Sequence, residues 1–318
     1  MAANDNHIAT DLEDLGDAAG AGGEVADAAP EGTNRAGAQV HPIISCSRRT
    51  DVPAHYIPWL VRGLQAGEVT VTVRGHVSRV SLRPEDVKAW VWWSKNYAPW
   101  LAARAAHPEL FAFRAHIFHF TITGLEDLEN VEPSIDERIN QITQLAAVGH
   151  VVVRFDPITR YRDEAGVVRS NHPLAETLIP HFKAAGAHEV EFKFCVPYRG
   201  TLARMARGRT PFVAFMPEEK RRIVRRLMDI CAAQQLRLRA CCPLPEERVE
   251  GLEVGSCIDG ETIEKLLGGD WVNKRKDAGQ RKACRCVASR DIGDYRMHCP
   301  HACRFCYGQP GPLNPAFR

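Results

Sequence analysis

The sequence predicts an α/β fold: a complete or partial TIM-type (β/α) barrel that ends in a cysteine-rich cluster loop. Short β-branched and aromatic runs, each closed by polar or charged residues, recur from Ile43 to Cys241. Helical patterns lie between these runs, and strand–helix alternation argues for a parallel sheet covered by helices. Six or more such units over ~270 residues suit a barrel. Many of the eleven cysteines gather after the last of these units.

Composition narrows the function classes. The chain has 318 residues, 45% hydrophobic and 25% charged, enough for a core of ordinary size. Its 41 basic and 39 acidic residues leave a net charge of +2, which gives no field demanding nucleic acid or membrane. No apolar run approaches the ~20 residues of a membrane span. The N-terminus lacks the basic-then-apolar order of a secretory signal. A cytoplasmic address is expected, where cysteines serve as metal ligands rather than as a disulfide framework.

Residues 1–40 are rich in Ala, Gly, Asp and Glu and read as a disordered tail. Residues 41–245 read as the barrel-like core, and 246–318 as a cysteine-rich segment packed on it. Ile43–Cys46 is the first buried strand, followed by the loop Ser47-Arg-Arg-Thr-Asp51. Val69–Val73 and Val77–Leu82 read as a hairpin. Further strands are expected at Ala89–Trp93, Ile117–Thr121, Val151–Val153, Glu189–Cys195 and Leu236–Cys241. Ser134-Ile-Asp-Glu137 is a capping box, after which Ile135, Ile139, Ile142 and Leu145 repeat at helical spacing. A second helix runs from about Pro217 to Gln234 with Ile223, Leu227 and Ile230 inward. Its outer Lys220, Arg221, Arg225 and Arg226 read as a solvated face because Glu218 and Glu219 interleave. Beyond residue 243 a loop and helix are expected, with Ile263, Leu266 and Leu267 packing.

In a barrel, chemistry gathers on the loops that follow the strands. Those positions hold Arg48, Arg49 and Asp51, then Lys95 and Asn96, Thr121 and Thr123, and Arg154 and Asp156. Lys193 lies within its strand, where alternation aims it inward with Glu191. A paired Arg and Asp at a strand end suits a carboxylate or ribose, or else braces the rim as an internal salt bridge.

The chain closes on Cys299-Pro-His-Ala-Cys303-Arg-Phe-Cys306-Tyr307. Three thiolates on one short loop can face a common centre, and three rather than four leave one iron of a [4Fe–4S] cluster open. A zinc site with His298 or His301 as fourth ligand uses the same thiolates, and incidental thiols are the third reading. The spacing, and Phe305 before Cys306, resemble the radical S-adenosylmethionine (SAM) signature. The position does not, since that loop ordinarily lies near the N-terminus. A C-terminal copy resembles a bacterial family of unknown function whose closing cysteines mimic the motif. Arg48-Arg-Thr-Asp51 and Arg154-Phe-Asp-Pro157 resemble recurring motifs of that family. The resemblance implies SAM at the open iron, near Phe305, Tyr307, Thr121 and Thr123. It also implies an electron donor such as a flavodoxin or ferredoxin, and a radical acting on a substrate the sequence does not name. Nucleic acid as substrate has only modest basic patches in its favour. Gly22-Gly-Glu24 matches the tripeptide that holds the SAM amino group, but no strand precedes it.

A second cysteine group comprises Cys257, Cys284 and Cys286, with one of Cys241 or Cys242. Four thiolates suffice for a fully ligated iron–sulfur cluster or a zinc site. Cys46, Cys195 and Cys231 read as small buried hydrophobes. Lys274-Arg-Lys276 and Arg281-Lys282 read as exposed linker.

Overall fold

Eight parallel strands form the central sheet of the computed structural model, which describes residues 30–318 apart from 74, 271, 278, 279 and 318. They are β1 (Ile43–Cys46), β2 (Ala89–Ser94), β3 (Ala115–Thr121), β4 (His150–Ile158), β5 (Glu189–Phe194), β6 (Arg237–Cys241), β7 (Glu253–Gly255) and β8 (Arg290–Asp291). Their spatial order is β7-β6-β5-β4-β3-β2-β1-β8. Strands consecutive in sequence are therefore neighbours through β7, and β8 returns to the far side of β1. Among the described residues no strand pairing joins β7 to β8. The fold is mixed α/β with a large parallel sheet.

Both faces of the sheet are buried, as parallel pairing requires. On one face Ile44, Trp90, Trp92, Phe118, Phe120 and Val153 join the main core. On the other Ile43, Val91, Ile117 and Val152 pack against Cys257, Ile258, Ile263 and Val287. At about 25 cal/mol per Å² of apolar surface removed from water, each large side chain buried here contributes roughly 1.5–3 kcal/mol.

The covering helices are α1 (Val52–His55), α2 (Ile57–Ala66), α3 (Ala98–Ala106), α4 (Ile135–Ala146), α5 (Ala175–Ala184), α6 (Arg199–Arg207), α7 (Pro217–Ala233) and α8 (Gly260–Leu266). The capping box of α4 forms: Glu137 N donates to Ser134 Oγ at 3.2 Å and Ser134 N to Glu137 Oε2 at 2.8 Å. Helix α7 buries Val224, Leu227, Ile230 and Cys231. Its outer cations are paired, Lys220 with Glu246 and Arg226 with Glu176, each at 2.9 Å.

The structure departs from expectation in four places. Order begins upstream of the expected tail boundary, because Gly32–Thr33 pairs with Gln39–Val40. Asn34 Oδ1 closes the turn by accepting from Ala36 N and Ala38 N, a side-chain turn signal that composition hides. The hairpin Glu68–Val73/His76–Ser81 stands outside the main sheet, in a four-stranded sheet with those two short strands. Strands β7 and β8, three and two residues long, carry no hydrophobic run to announce them, so the cysteine-rich segment adds to the sheet it was expected only to pack on. Leu266 is exposed, whereas Ile263 and Leu267 are buried. Gly22-Gly-Glu24 and most of the expected tail lie outside the described residues. No helix among the described residues is long and apolar enough to cross a membrane.

Candidate metal centres and strand-end site

Asp51, just past the end of β1, organises one side of the rim. Its Oδ1 accepts from Ala54 N at 3.0 Å, capping α1, and from Ser94 Oγ at 2.7 Å. Its Oδ2 accepts from Lys95 N at 2.8 Å and faces His301 Nε2 at 3.0 Å. Burial alone would raise this carboxyl. The His301 hydrogen bond and charge, with His55 and the Lys95 N–H, outweigh it and hold Asp51 below the usual carboxylate range. His301 Nδ1 faces Asn130 O at 3.0 Å, so Asp51 ties the cysteine loop to β1, β2 and the segment after β3.

Lys95 forms the next link. Its Nζ lies 2.6 Å from Glu129 Oε2 and over the Phe305 ring, 5.5 Å from the centroid. Glu129 is buried, accepts from Thr123 Oγ1 at 2.9 Å, and faces Cys303 Sγ at 3.7 Å. Burial would raise Glu129, but Lys95 and Thr123 pull it below its ordinary value. Thr123 therefore braces Glu129. Thr121 ends β3 half-buried, in register with Arg154.

The three loop cysteines are held by short turns. Cys306 N donates to Cys303 O at 3.1 Å, and Gly308 N donates to Cys306 Sγ at 3.2 Å. Ala302 takes φ 46°, a left-handed turn that non-glycine residues adopt only where surroundings hold them. Burial pushes all three thiols up, Cys299 to about 12, while Lys95 opposes the rise at Cys303 and Cys306. The sulfurs of Cys299, Cys303 and Cys306 do not all lie within 4.8 Å of one another, as ligands of a single ion would, and three thiols on one loop are by type the donor set of an iron–sulfur cluster. Cys299 does fall within such a compact group with His55 and His301, and His55 Nε2 is buried without a hydrogen-bond partner. The His298 ring instead lies against Gly311, and its carbonyl accepts from Tyr56.

Arg154, in β4, donates to Glu191 and Asp156 and, at 3.1 Å, to Cys257 Sγ. Its guanidinium also lies over Trp93, whose ring stacks on His119. Burial and the Cys257 sulfur outweigh Arg154 and raise Glu191 well above its usual value. Arg48 stands 3.7 Å from both Asp277 and Asp291. Arg49 Nη1 is committed to the carbonyls of Asp291 and Gly293, at 3.1 and 2.9 Å. Tyr307 is exposed, and its hydroxyl reaches Arg48 O at 3.4 Å. Arg48, Asp51, Arg154 and Asp156 therefore share the strand-end side with the cysteine loop. Lys193 is half-buried, and its charge acts on Glu247.

Two members of the second cysteine group meet, with Glu191, in a compact buried group. Cys241 and Cys257 sulfurs lie 3.3 Å apart, and Cys257 Sγ donates to Glu191 at 3.2 Å. Cys286 interacts with Cys257 and Cys284, and Cys284 with Cys242. Those two neighbours donate to Cys284 and draw it down to about 3, while Cys286 is pushed up. Arg281 and Lys282 are exposed, as expected, and the Arg281 charge acts on Cys242 and Cys241. Cys46 and Cys231 are core residues, as expected; Cys195 packs by the cluster loop with Phe305 and Cys306.

Sequence reading passed over Glu129, His55 and Asp291. Glu129 sits in an acidic stretch that resembles any solvated loop, and Asp291 in a strand of two residues. The pairing of His55 with His301 joins residues 246 positions apart, for which one sequence offers no signal.

Among known proteins, the crystal structure of the HMG-CoA lyase from Brucella melitensis is similar at 13% identity and a TM-score of 0.33. The match covers 87% of this chain and 88% of that one. No curated protein matches. The family model described as "Domain of unknown function (DUF1848)" matches residues 43–308.

The chain belongs to that family, whose model spans both cysteine groups and the strand-end rim.

Proposed function

For a member of this family we propose a radical SAM-type iron–sulfur enzyme built on a complete or partial TIM-type barrel. The carrying observation is that Cys299, Cys303 and Cys306, at C-x3-C-x2-C spacing, share one loop laid across the strand ends. Those three residues would hold a [4Fe–4S] cluster with one iron open. When bound, that group supplies the electron that cleaves SAM to methionine and a 5′-deoxyadenosyl radical.

The chain's own residues orient and shield. Lys95 places a cation beside Cys303 and Cys306 and offsets the charge of their thiolates. Glu129 and Thr123 fix Lys95, and Asp51 with His301 fixes the start of the loop. Gly308 N–H donates to the Cys306 sulfur and lowers its charge density. Exposed Tyr307 offers a ring face and Phe305 a buried one to the cofactor side. Arg48 and the Arg154–Asp156 pair supply polar contacts to carboxylate or ribose groups on the same rim. A flavodoxin or ferredoxin is the class of donor this chemistry requires.

Anaerobic reconstitution followed by iron and sulfide analysis, EPR, and assay with SAM and dithionite tests the proposal. Wild type should carry about four irons at this site and form 5′-deoxyadenosine. A Cys299/Cys303/Cys306 triple alanine variant should lose both. Unchanged iron in that variant sinks the assignment.

The compact His55, Cys299 and His301 group favours a second reading, a non-catalytic zinc protein whose rim binds a ligand or partner. Zinc that disappears on His55→Ala, without bound sulfide, selects it.

A further inference from the structure

We infer that Cys241, Cys242, Cys257, Cys284 and Cys286 form a second thiolate-held metal centre, separate from the cluster loop. The inference does not depend on the reading above. The five residues come from three places: the end of β6, the turn after β7, and the segment before β8. Cys241 and Cys257 sulfurs lie 3.3 Å apart in a compact group with Glu191, and Cys286 interacts with Cys257 and Cys284, and Cys284 with Cys242.

Every member is buried, at 2–8% exposure. Adjacent residues of a strand point to opposite faces, so Cys241 and Cys242 should not share a pocket. Cys242 takes φ 46°, a left-handed turn that takes its side chain out of the strand's alternation and is unfavourable for a residue with a side chain. Such strain persists where surroundings impose it.

Cations and N–H donors lie against several of the sulfurs, and the Glu191 carboxyl accepts from Cys257 Sγ at 3.2 Å. Arg154 donates to Cys257 Sγ at 3.1 Å. Backbone amides donate as well: Ile258 N to Cys286 Sγ and Cys286 N to Cys284 Sγ, both at 3.4 Å. An amide two residues on, donating back to a cysteine sulfur, is the outer-shell contact that steadies a metal thiolate. Arg48 faces Cys257 and Cys286, and Arg281 faces Cys241 and Cys242. Four thiolates on a divalent ion leave a charge of −2, which cations beside them offset. A recess of about 450 Å³, lined by Arg248, Lys282, Arg285 and one of the five cysteines, Cys284, lies beside the group. The shared chemistry is thiolate ligation of zinc or of an iron–sulfur cluster.

The test uses the full chain, purified anaerobically, with zinc, iron and acid-labile sulfide measured on folded protein. A Cys299/Cys303/Cys306 triple alanine variant should keep stoichiometric metal: one zinc, or iron with sulfide in cluster proportion, which tells the two sources apart. A Cys284→Ser/Cys286→Ser variant should lose that metal and no more. X-ray absorption on the triple variant supplies a second readout that does not depend on the double variant folding. A shell of about four sulfurs near 2.3 Å supports the centre. A folded triple variant without stoichiometric metal, or a shell of nitrogen and oxygen alone, overturns it.

Discussion

Asp51 shows how much one residue carries at this rim. Its two oxygens receive Ala54 N, Ser94 Oγ, Lys95 N and His301 Nε2. Asp51→Asn replaces one acceptor by an NH2 that faces donors, leaving buried groups without partners. Breaking such a buried pair costs about 3–5 kcal/mol, which urea unfolding measures; a loss below about 1 kcal/mol would contradict it. The sign of the pH dependence follows from the lowered carboxyl. A group held below its unfolded value, near 3.9, contributes stability above that pH and loses it as pH falls through the folded value. The gap between wild type and Asp51→Asn should therefore be full at pH 7 and narrow below about pH 4. Gly293 makes a second case. A Cβ there would stand 1.9 Å from Ser47 Oγ, which donates to Asp291 Oδ1 at 2.6 Å. Gly293→Ala must break that bond or push the loop away, costing about 1–3 kcal/mol or more, with a lowered melting temperature as the readout.

At the scale of elements, Ser134 tests whether a cap read from sequence acts as read. Ser134→Ala removes the acceptor for Glu137 N and should cost about 1 kcal/mol. The effect should reach the rim, because α4 carries Gln141, whose Oε1 accepts from Tyr97 N at 2.7 Å. Unchanged chemical denaturation would show that the cap is replaced by solvent. This cap was legible because its residues are three apart, and the strands β1 to β6 were legible because each is a hydrophobic run. The three loop cysteines were legible for the same local reason. Glu129, His55 and Asp291 were not, since their partners lie in other elements. The second cysteine group was half legible: its members stand out, but the backbone turn at Cys242 that lets both neighbouring cysteines join it does not.

For the whole molecule, the question is what holds the cluster loop against the sheet. Asp51 and Glu129 hold it from the strand ends; Arg204 of α6 donates to Cys306 O, and Arg304 of the loop itself donates to Gly208 O just past α6. On the outer side, Phe317 is buried and meets Tyr56 and Trp59 edge-on, with ring centroids 6.2 and 6.4 Å away. Tyr56 in turn donates to His298 O at 2.6 Å, next to Cys299. Arg296 lies over the other side of the Phe317 ring. Phe317 therefore packs against Tyr56, a residue that positions the first cysteine. Phe317→Ala should cost about 3 kcal/mol, at the low end for a buried aromatic because its site borders solvent. The loop should loosen before the sheet does, since its amides rely on few bonds, among them Cys299 N to Gln309 O at 2.8 Å and Gly311 N to Cys299 O at 3.1 Å. Hydrogen exchange of residues 296–311 should quicken while that of β2 to β5 stays slow. Equal acceleration in both regions would mean that Phe317 stabilises the molecule as a unit and does not latch the loop.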